Sequence, residues 1–202
     1  MHDIAIYEEK NMKSIKGTRT EKNLAAAFAG ESQARNRYAF FASQAKKEGY
    51  EQIAAIFTET ADNEKEHAKR FFNFLEGGMV EIGAAYPAGI TGGTADNLKA
   101  AAAGEHEEHA MLYPDFARIA EEEGFKEIAI AWRRIADVEA HHEARYLDLL
   151  KNIQEDAVFK KKEKTKWKCR NCGYIHEGTS APGTCPACLH PQSYFEVLAE
   201  KF

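Results

Sequence analysis

The chain repeats itself. "FASQAKKEGYEQIAAIFTETADNEKEHAKRF" (41–71) aligns with "FARIAEEEGFKEIAIAWRRIADVEAHHEARY" (116–146) at a constant offset of 75 residues. Phe41, Gly49, Ile53, Asp62, Glu64, His67 and Arg70 recur as Phe116, Gly124, Ile128, Asp137, Glu139, His142 and Arg145. Both copies are rich in Ala, Glu, Lys and Leu, with apolar residues at helical spacing. Each has a stop and restart at its glycine. Each copy therefore reads as the turn and second helix of an antiparallel pair, and two copies make four helices of roughly 25–30 residues, each about 40 Å long.

The segment joining the copies, 77–93, holds six glycines and Pro87, so the two pairs are linked by a long crossover, as in ferritin-like bundles. Thr20 and Thr94 are the expected caps of the first and third helices, and the fourth helix is expected from Phe125 to about Gln154. Upstream, "AGE" (29–31) recurs as "AGE" (103–105) at an offset of 74, whereas Tyr38 and Tyr113 already match at 75. The third helix thus holds one extra residue between Glu105 and Tyr113, with Pro114 just beyond, which predicts a bulge or kink. The expected organisation is an N-terminal extension (1–19), an all-α four-helix bundle (20–154), a charged linker (155–166) and a small C-terminal metal domain (167–202).

The core-facing stripes carry the chemistry. Helix 1 gives Leu24, Phe28, Glu31, Tyr38, Ala42 and Ala45; helix 2 gives Ile53, Phe57, Thr60, Glu64, His67 and Phe71. Helix 3 gives Leu98, Ala101, Glu105, Glu108, Leu112 and Phe116; helix 4 gives Ile128, Trp132, Ile135, Glu139, His142 and Tyr146. Five carboxylates and two imidazoles interrupt these stripes near their middles. Buried like charges cost several kcal/mol each unless compensated. Two divalent cations reduce five negative charges to a net −1, and carboxylate–imidazole donors suit iron or manganese. A glutamate from each of two helices plus Glu-x-x-His from each of the other two is the di-iron or di-manganese carboxylate arrangement, with Glu108 as an addition. Tyr38 and Tyr113 are candidates to hydrogen-bond ligand carboxylates, and Asp62 and Asp137 to orient a ligand histidine. His106, His109 and His141 fall off the stripes and read as solvated.

All four cysteines lie in "CRNCGYIHEGTSAPGTCPAC", as two Cys-x-x-Cys pairs twelve residues apart. Cys169, Cys172, Cys185 and Cys188 suit one tetrahedral tetrathiolate cation, zinc or iron by spacing alone. A module this small needs the metal to fold, with Trp167, Tyr174, Tyr194 and Phe195 as its aromatic core. A net charge of −5 gives no reason to expect nucleic acid. No apolar run approaches membrane-spanning length, and "MHDIAIYEEKN" is no secretory signal, so the expected location is cytoplasmic.

The bundle with "GESQARNRY" (30–38), "EKEH" (64–67), "GEHEE" (104–108), "EAHH" (139–142) and the terminal cysteine pairs resembles the rubrerythrin family over about residues 12–202. One departure is Leu189, which follows Cys188 where free-standing rubredoxins usually have glycine. The resemblance implies two irons held by Glu31, Glu64, His67, Glu105, Glu108, Glu139 and His142, which form the catalytic centre, and a third iron in a rubredoxin-like four-cysteine site. It implies reduction of hydrogen peroxide to water, with electrons from NAD(P)H through a reductase or rubredoxin partner, and a head-to-tail homodimer. The rival readings are a ferroxidase or iron-storage protein, which leaves the cysteine module without a role, and a zinc-ribbon binding module on a structural bundle, which leaves the carboxylates unexplained. Metal analysis separates the three.

Overall fold

The computed structural model describes residues 13–199, so most of the expected N-terminal extension lies outside the described residues. Five α-helices run in chain order: α1 (Arg19–Lys47), α2 (Glu51–Phe72), α3 (Thr94–Glu107), α4 (Tyr113–Glu122) and α5 (Lys126–Gln154). Between α3 and α4 the backbone continues as one π-helical turn, Glu108–Leu112. α3, this turn and α4 are the expected third helix, so the architecture is a four-helix bundle. The π turn is the expected bulge: the extra residue widens one turn and leaves the helix unbroken. It also rotates α4 relative to the stripe of α3. Leu112, read on the core stripe, is 37% exposed, and Tyr113, Ala117 and Ala120 face the core instead.

Gly49 and Gly124 end α1 and α4 with φ of +82° and +86°, which only glycine adopts without strain. The amides of Tyr50 and Phe125 then return to the carbonyls of Ala45 and Ala120, a Schellman closure that aims the next helix back antiparallel. The helix starts differ from expectation. Thr18 is the cap of α1, accepting the Glu21 amide at 3.1 Å, and Gly93 precedes α3. Thr20 and Thr94 sit inside the first turns, buried, and their backbone amides donate to Glu123 (2.9 Å) and Glu48 (3.0 Å). These two glutamates are 75 residues apart in the repeat, so the turn inside each helix pair caps the start of the other pair.

Two apolar clusters fill the bundle on either side of its middle. One centres on Tyr38, Phe41, Phe57 and Tyr146; the other centres on Leu24, Phe71, Tyr113 and Trp132. The crossover runs over the outside of α1, tied down where the Tyr86 hydroxyl donates to the Ala26 carbonyl at 2.8 Å.

Beyond α5 lies a three-stranded antiparallel sheet of order β2-β1-β3: β1 (Lys160–Cys169), β2 (Ile175–Ser180) and β3 (Phe195–Val197). Residues 160–166, expected as linker, form the first part of β1. Trp167 and Phe195 are fully buried around Cys169 and Cys185, with Tyr174 and Tyr194 partly buried against them. The module meets the bundle at its α1–α2 turn, where Tyr50 stacks on Phe159 with ring centroids 6.2 Å apart.

Candidate metal centres

Between the two apolar clusters, the four helices bring six side chains to one point. Glu31, Glu64, His67 and Glu139 form one quartet with donor atoms within 4.8 Å of one another; Glu64, Glu105, Glu139 and His142 form a second. Glu64 and Glu139 belong to both. Glu31, Glu64, Glu105 and Glu139 are at most 1% exposed, and His142 is 2% exposed. Both imidazoles turn Nδ1 inward: His67 lies 2.8 Å from Glu139 and 3.0 Å from Glu64, and His142 lies 2.8 Å from Glu139 and 3.3 Å from Glu64.

These contacts do not satisfy the site. Oxygens of Glu31, Glu64, Glu105 and Glu139, and Nδ1 of His142, have no aligned hydrogen-bond partner although buried. Buried polar atoms are almost always paired, so donors that converge without aligning on one another fit common central cations. The protonation tendencies agree. Burial, then the charges of Glu108, Glu64 and Glu139, push the Glu31 carboxyl well above its ordinary range. Burial likewise carries Glu105 up to about 8. Burial alone would lower the histidines, yet the adjacent carboxylates of Glu139 and Glu64 hold His67 at about 9, and those of Glu105, Glu139 and Glu64 hold His142 at about 12. The cluster demands positive charge. Two divalent cations neutralise the four carboxylates of the quartets and leave both imidazoles free to ligate as neutral bases.

Glu108 stands apart from both quartets. It is half-buried at the start of the π turn, and burial followed by the charge of Glu105 raises its carboxyl well above the usual range. It lines a cavity of about 480 Å³ under the crossover with Gly30, Arg37, Tyr86 and Gly104. Arg37, whose guanidinium draws Glu108 back toward ionisation, cannot be found from the core stripes because it points away from the core. Each tyrosine donates to a candidate ligand carboxylate, Tyr38 to Glu105 at 2.5 Å and Tyr113 to Glu31. Asp62 and Asp137 are both exposed on the outer faces of α2 and α5, and Asp137 pairs with Arg134 at 3.1 Å, so neither orients a ligand.

The four-cysteine site is already shaped. Sγ of Cys169 lies 3.8 Å from Cys188, and Cys172 lies 3.7 Å from Cys185. With metal–sulfur bonds of about 2.3 Å, the edge of a regular tetrahedron is about 3.8 Å. The two knuckles match: the Gly173 amide donates to the Cys169 carbonyl at 2.8 Å, and that of Leu189 to Cys185 at 2.9 Å. Leu189 takes the left-handed conformation, φ +61°, that Gly173 takes at +78°, so leucine accepts a backbone that favours glycine. The His190 backbone amide, the leading influence on Cys188, helps bring its thiol down to about 6. Cys172 goes the other way, to about 12, because the neighbouring sulfurs outweigh the amide of Tyr174. Four thiolates in this volume need a cation.

Fold and donor sets define the class: a ferritin-like di-metal carboxylate bundle joined to a rubredoxin-like thiolate module. A family model described as Rubrerythrin matches residues 22–150, and one described as Rubrerythrin, rubredoxin-like domain, matches 167–196. The chain belongs to the rubrerythrin family. It is 65% identical to a rubrerythrin of Porphyromonas gingivalis over 94% of this chain and 95% of that protein. It is 62% identical to one of Nitratidesulfovibrio vulgaris, covering 93% and 98%. Among solved structures, fully reduced, all-ferrous nigerythrin superposes with a TM-score of 0.61 at 31% identity, covering 98% of this chain and all of that one. The two donor sets accordingly accommodate three irons per chain, a di-iron centre and a mononuclear thiolate iron.

Proposed function

We propose that the chain is a peroxidase that reduces hydrogen peroxide to water at the bundle centre, with electrons relayed through the four-cysteine iron from a rubredoxin or an NAD(P)H-dependent reductase in the cytoplasm. The observation that carries this reading is the presence, in one chain, of a two-cation site and a thiolate cage whose sulfurs already stand at tetrahedral spacing. When bound, two ferrous ions supply both electrons for H₂O₂ + 2 e⁻ + 2 H⁺ → 2 H₂O, and the thiolate iron restores them one at a time. An iron-storage reading leaves that cage idle.

In this reading Glu64 and Glu139, shared by the quartets, would serve both metals, while Glu31 with His67 and Glu105 with His142 would complete one donor set each. Tyr38 and Tyr113 hold the carboxylates of Glu105 and Glu31 in place as the charge between them changes. Glu108, outside both quartets and on the cavity wall, is free to move on or off a metal. The cavity beside Glu108 has room for a small solute, and Arg37 in its lining offers hydrogen-bond donors.

Electron delivery crosses between chains in this reading. Tyr50 touches the module, and His67 lies seventeen residues up α2, about 25 Å at 1.5 Å per residue. Such a gap is too long for fast transfer within one chain, and a head-to-tail homodimer brings one chain's module to the other's bundle. The test mixes a Cys169→Ser chain with a His67→Ala, Glu139→Ala chain. Mixed dimers are expected to regain reductase-driven peroxide turnover that neither parent shows. A monomer with full activity, or steady turnover in Cys169→Ser protein proven to lack the thiolate metal, overturns the relay.

A further inference from the structure

The donor sets of the bundle centre leave a second group of ligating side chains unused. His106, His109 and Glu143 meet on the outer surface where the π turn faces α5. Nδ1 of His106 lies 3.1 Å from one Glu143 oxygen, and Nε2 of His109 lies 2.6 Å from the other. All three donors fall within 4.8 Å of one another. The side chains of His109 and Glu143 are 21% exposed and that of His106 is 59% exposed, so the cluster is open to solvent from one side.

Packing does not require this cluster, and the internal repeat shows why. At the offsets that relate the two halves, His106, His109 and Glu143 correspond to Ser32, Arg35 and Ala68. Those three line a shallow groove with Lys65 and Lys69, and no ligand set forms there. The same helix geometry is thus built without imidazoles or a carboxylate. In the second half, Glu143 instead gathers two imidazoles from either side of the start of the π turn. Holding three mobile side chains together costs conformational entropy, and an exposed ion pair returns little of it.

We propose that His106, His109 and Glu143 form a third metal site, taking one divalent cation of the borderline class such as Fe²⁺, Co²⁺ or Zn²⁺. Two imidazoles and one carboxylate with open positions is a donor set that suits these ions. Bonds of about 2.0–2.2 Å place tetrahedral donors roughly 3.3–3.6 Å apart, so the Glu143 oxygens need draw back from the two imidazoles, now at 3.1 and 2.6 Å, by under about 1 Å to admit the ion. Each outer donor is the chain neighbour of an inner one: His106 follows Glu105, His109 follows Glu108, and Glu143 follows His142. The site does not depend on peroxide chemistry. Zinc stands in for the physiological ion in the test. Iron-loaded full-length protein is titrated with Zn²⁺ by calorimetry, and zinc-soaked crystals are examined for anomalous scattering. One additional Zn²⁺ per chain, with its anomalous peak between the three side chains, is expected. A His106→Ala, His109→Ala variant is expected to lose that equivalent while keeping its bundle iron and thiolate–iron absorption. Should that variant fail to fold, Glu143→Gln keeps the volume and removes the carboxylate charge, and it too is expected to lose the zinc. No extra equivalent in the parent protein, retention by either variant, or zinc found only where it has displaced iron overturns the proposal.

Discussion

α1 and α2 bring Glu31, Glu64 and His67 to the bundle centre through unbroken α-helix. The second half brings Glu105, Glu139 and His142 to the same place, but its first strut carries one residue more and a π turn. Because the first half reaches the centre without it, the extra residue is not what places the quartets. What it changes is everything around Glu108: the carboxylate beside the cavity, the outward turn of Leu112, and the two histidines gathered by Glu143. The shared chemistry follows the repeat, and the distinctive chemistry follows the departure from it.

The strongest way to break that equivalence is to remove one donor from each half. Glu64→Ala and Glu139→Ala each take a donor from both quartets and are expected to empty the bundle of both metals. His67→Ala and His142→Ala each disturb a single quartet and are expected to leave one metal in place. Metal analysis, with the thiolate–iron absorption as internal standard, checks this; a marked difference between matching variants of the two halves would show that they are not interchangeable.

A smaller effect is expected from making the halves alike. Deleting Ala110 gives the second half the spacing of the first and converts the π turn to regular helix. Both bundle metals are expected to stay, while peroxide turnover falls on the order of 100-fold as Glu108 loses its place, since displacements of about 1 Å carry costs of that size. Unchanged turnover with a regular helix confirmed by crystallography would separate Glu108 from catalysis.

The smallest expected effect concerns the helix ends. Glu123 accepts the amides of Arg19 and Thr20 and the Thr20 hydroxyl, whereas Glu48 accepts from Thr94 and Gln44. Glu123→Gln is expected to cost about 1 kcal/mol in urea unfolding and Glu48→Gln less. Burial opposes ionisation of Glu123, but its hydrogen bonds to Thr20 and Arg19 prevail and hold its carboxyl at about 2, below the ordinary 4.5. Its contribution is therefore fully present above pH 4.5 and is lost as pH falls toward 2, so the gap between parent and variant should close over that window.

The bundle and its ligand helices were legible because the repeat doubled every signal: one Glu-x-x-His is weak, and two in register on core stripes are not. The extra residue before Tyr113 foretold the π turn for the same reason. Asp62 and Asp137 misled because recurrence reports shared helix geometry and not which way a side chain faces. Thr20 and Thr94 look like caps locally, but their amides are taken by glutamates from distant helix ends, which no local pattern encodes. The start of β1 is hidden in the sequence because "KKKEKTK" shows no apolar alternation; pairing with β2 makes it a strand. The histidines beside Glu143 lie off the stripes, and only the fold brings α5 against the π turn.

The crossed placement of Glu48 and Glu123 bears on how the bundle comes apart. Each helix pair borrows from the other an acceptor for part of its first turn, the amide of Thr20 or Thr94, so fraying at either start strips a contact from the other half. Opening is coupled across the repeat, and the two halves form a single cooperative unit although each copy spells out its own helices. A repeated sequence that stacked its copies side by side could lose one and keep the next. Here the copies interlock, and the amides at the starts of α1 and α3 should exchange with solvent at the rate of global unfolding.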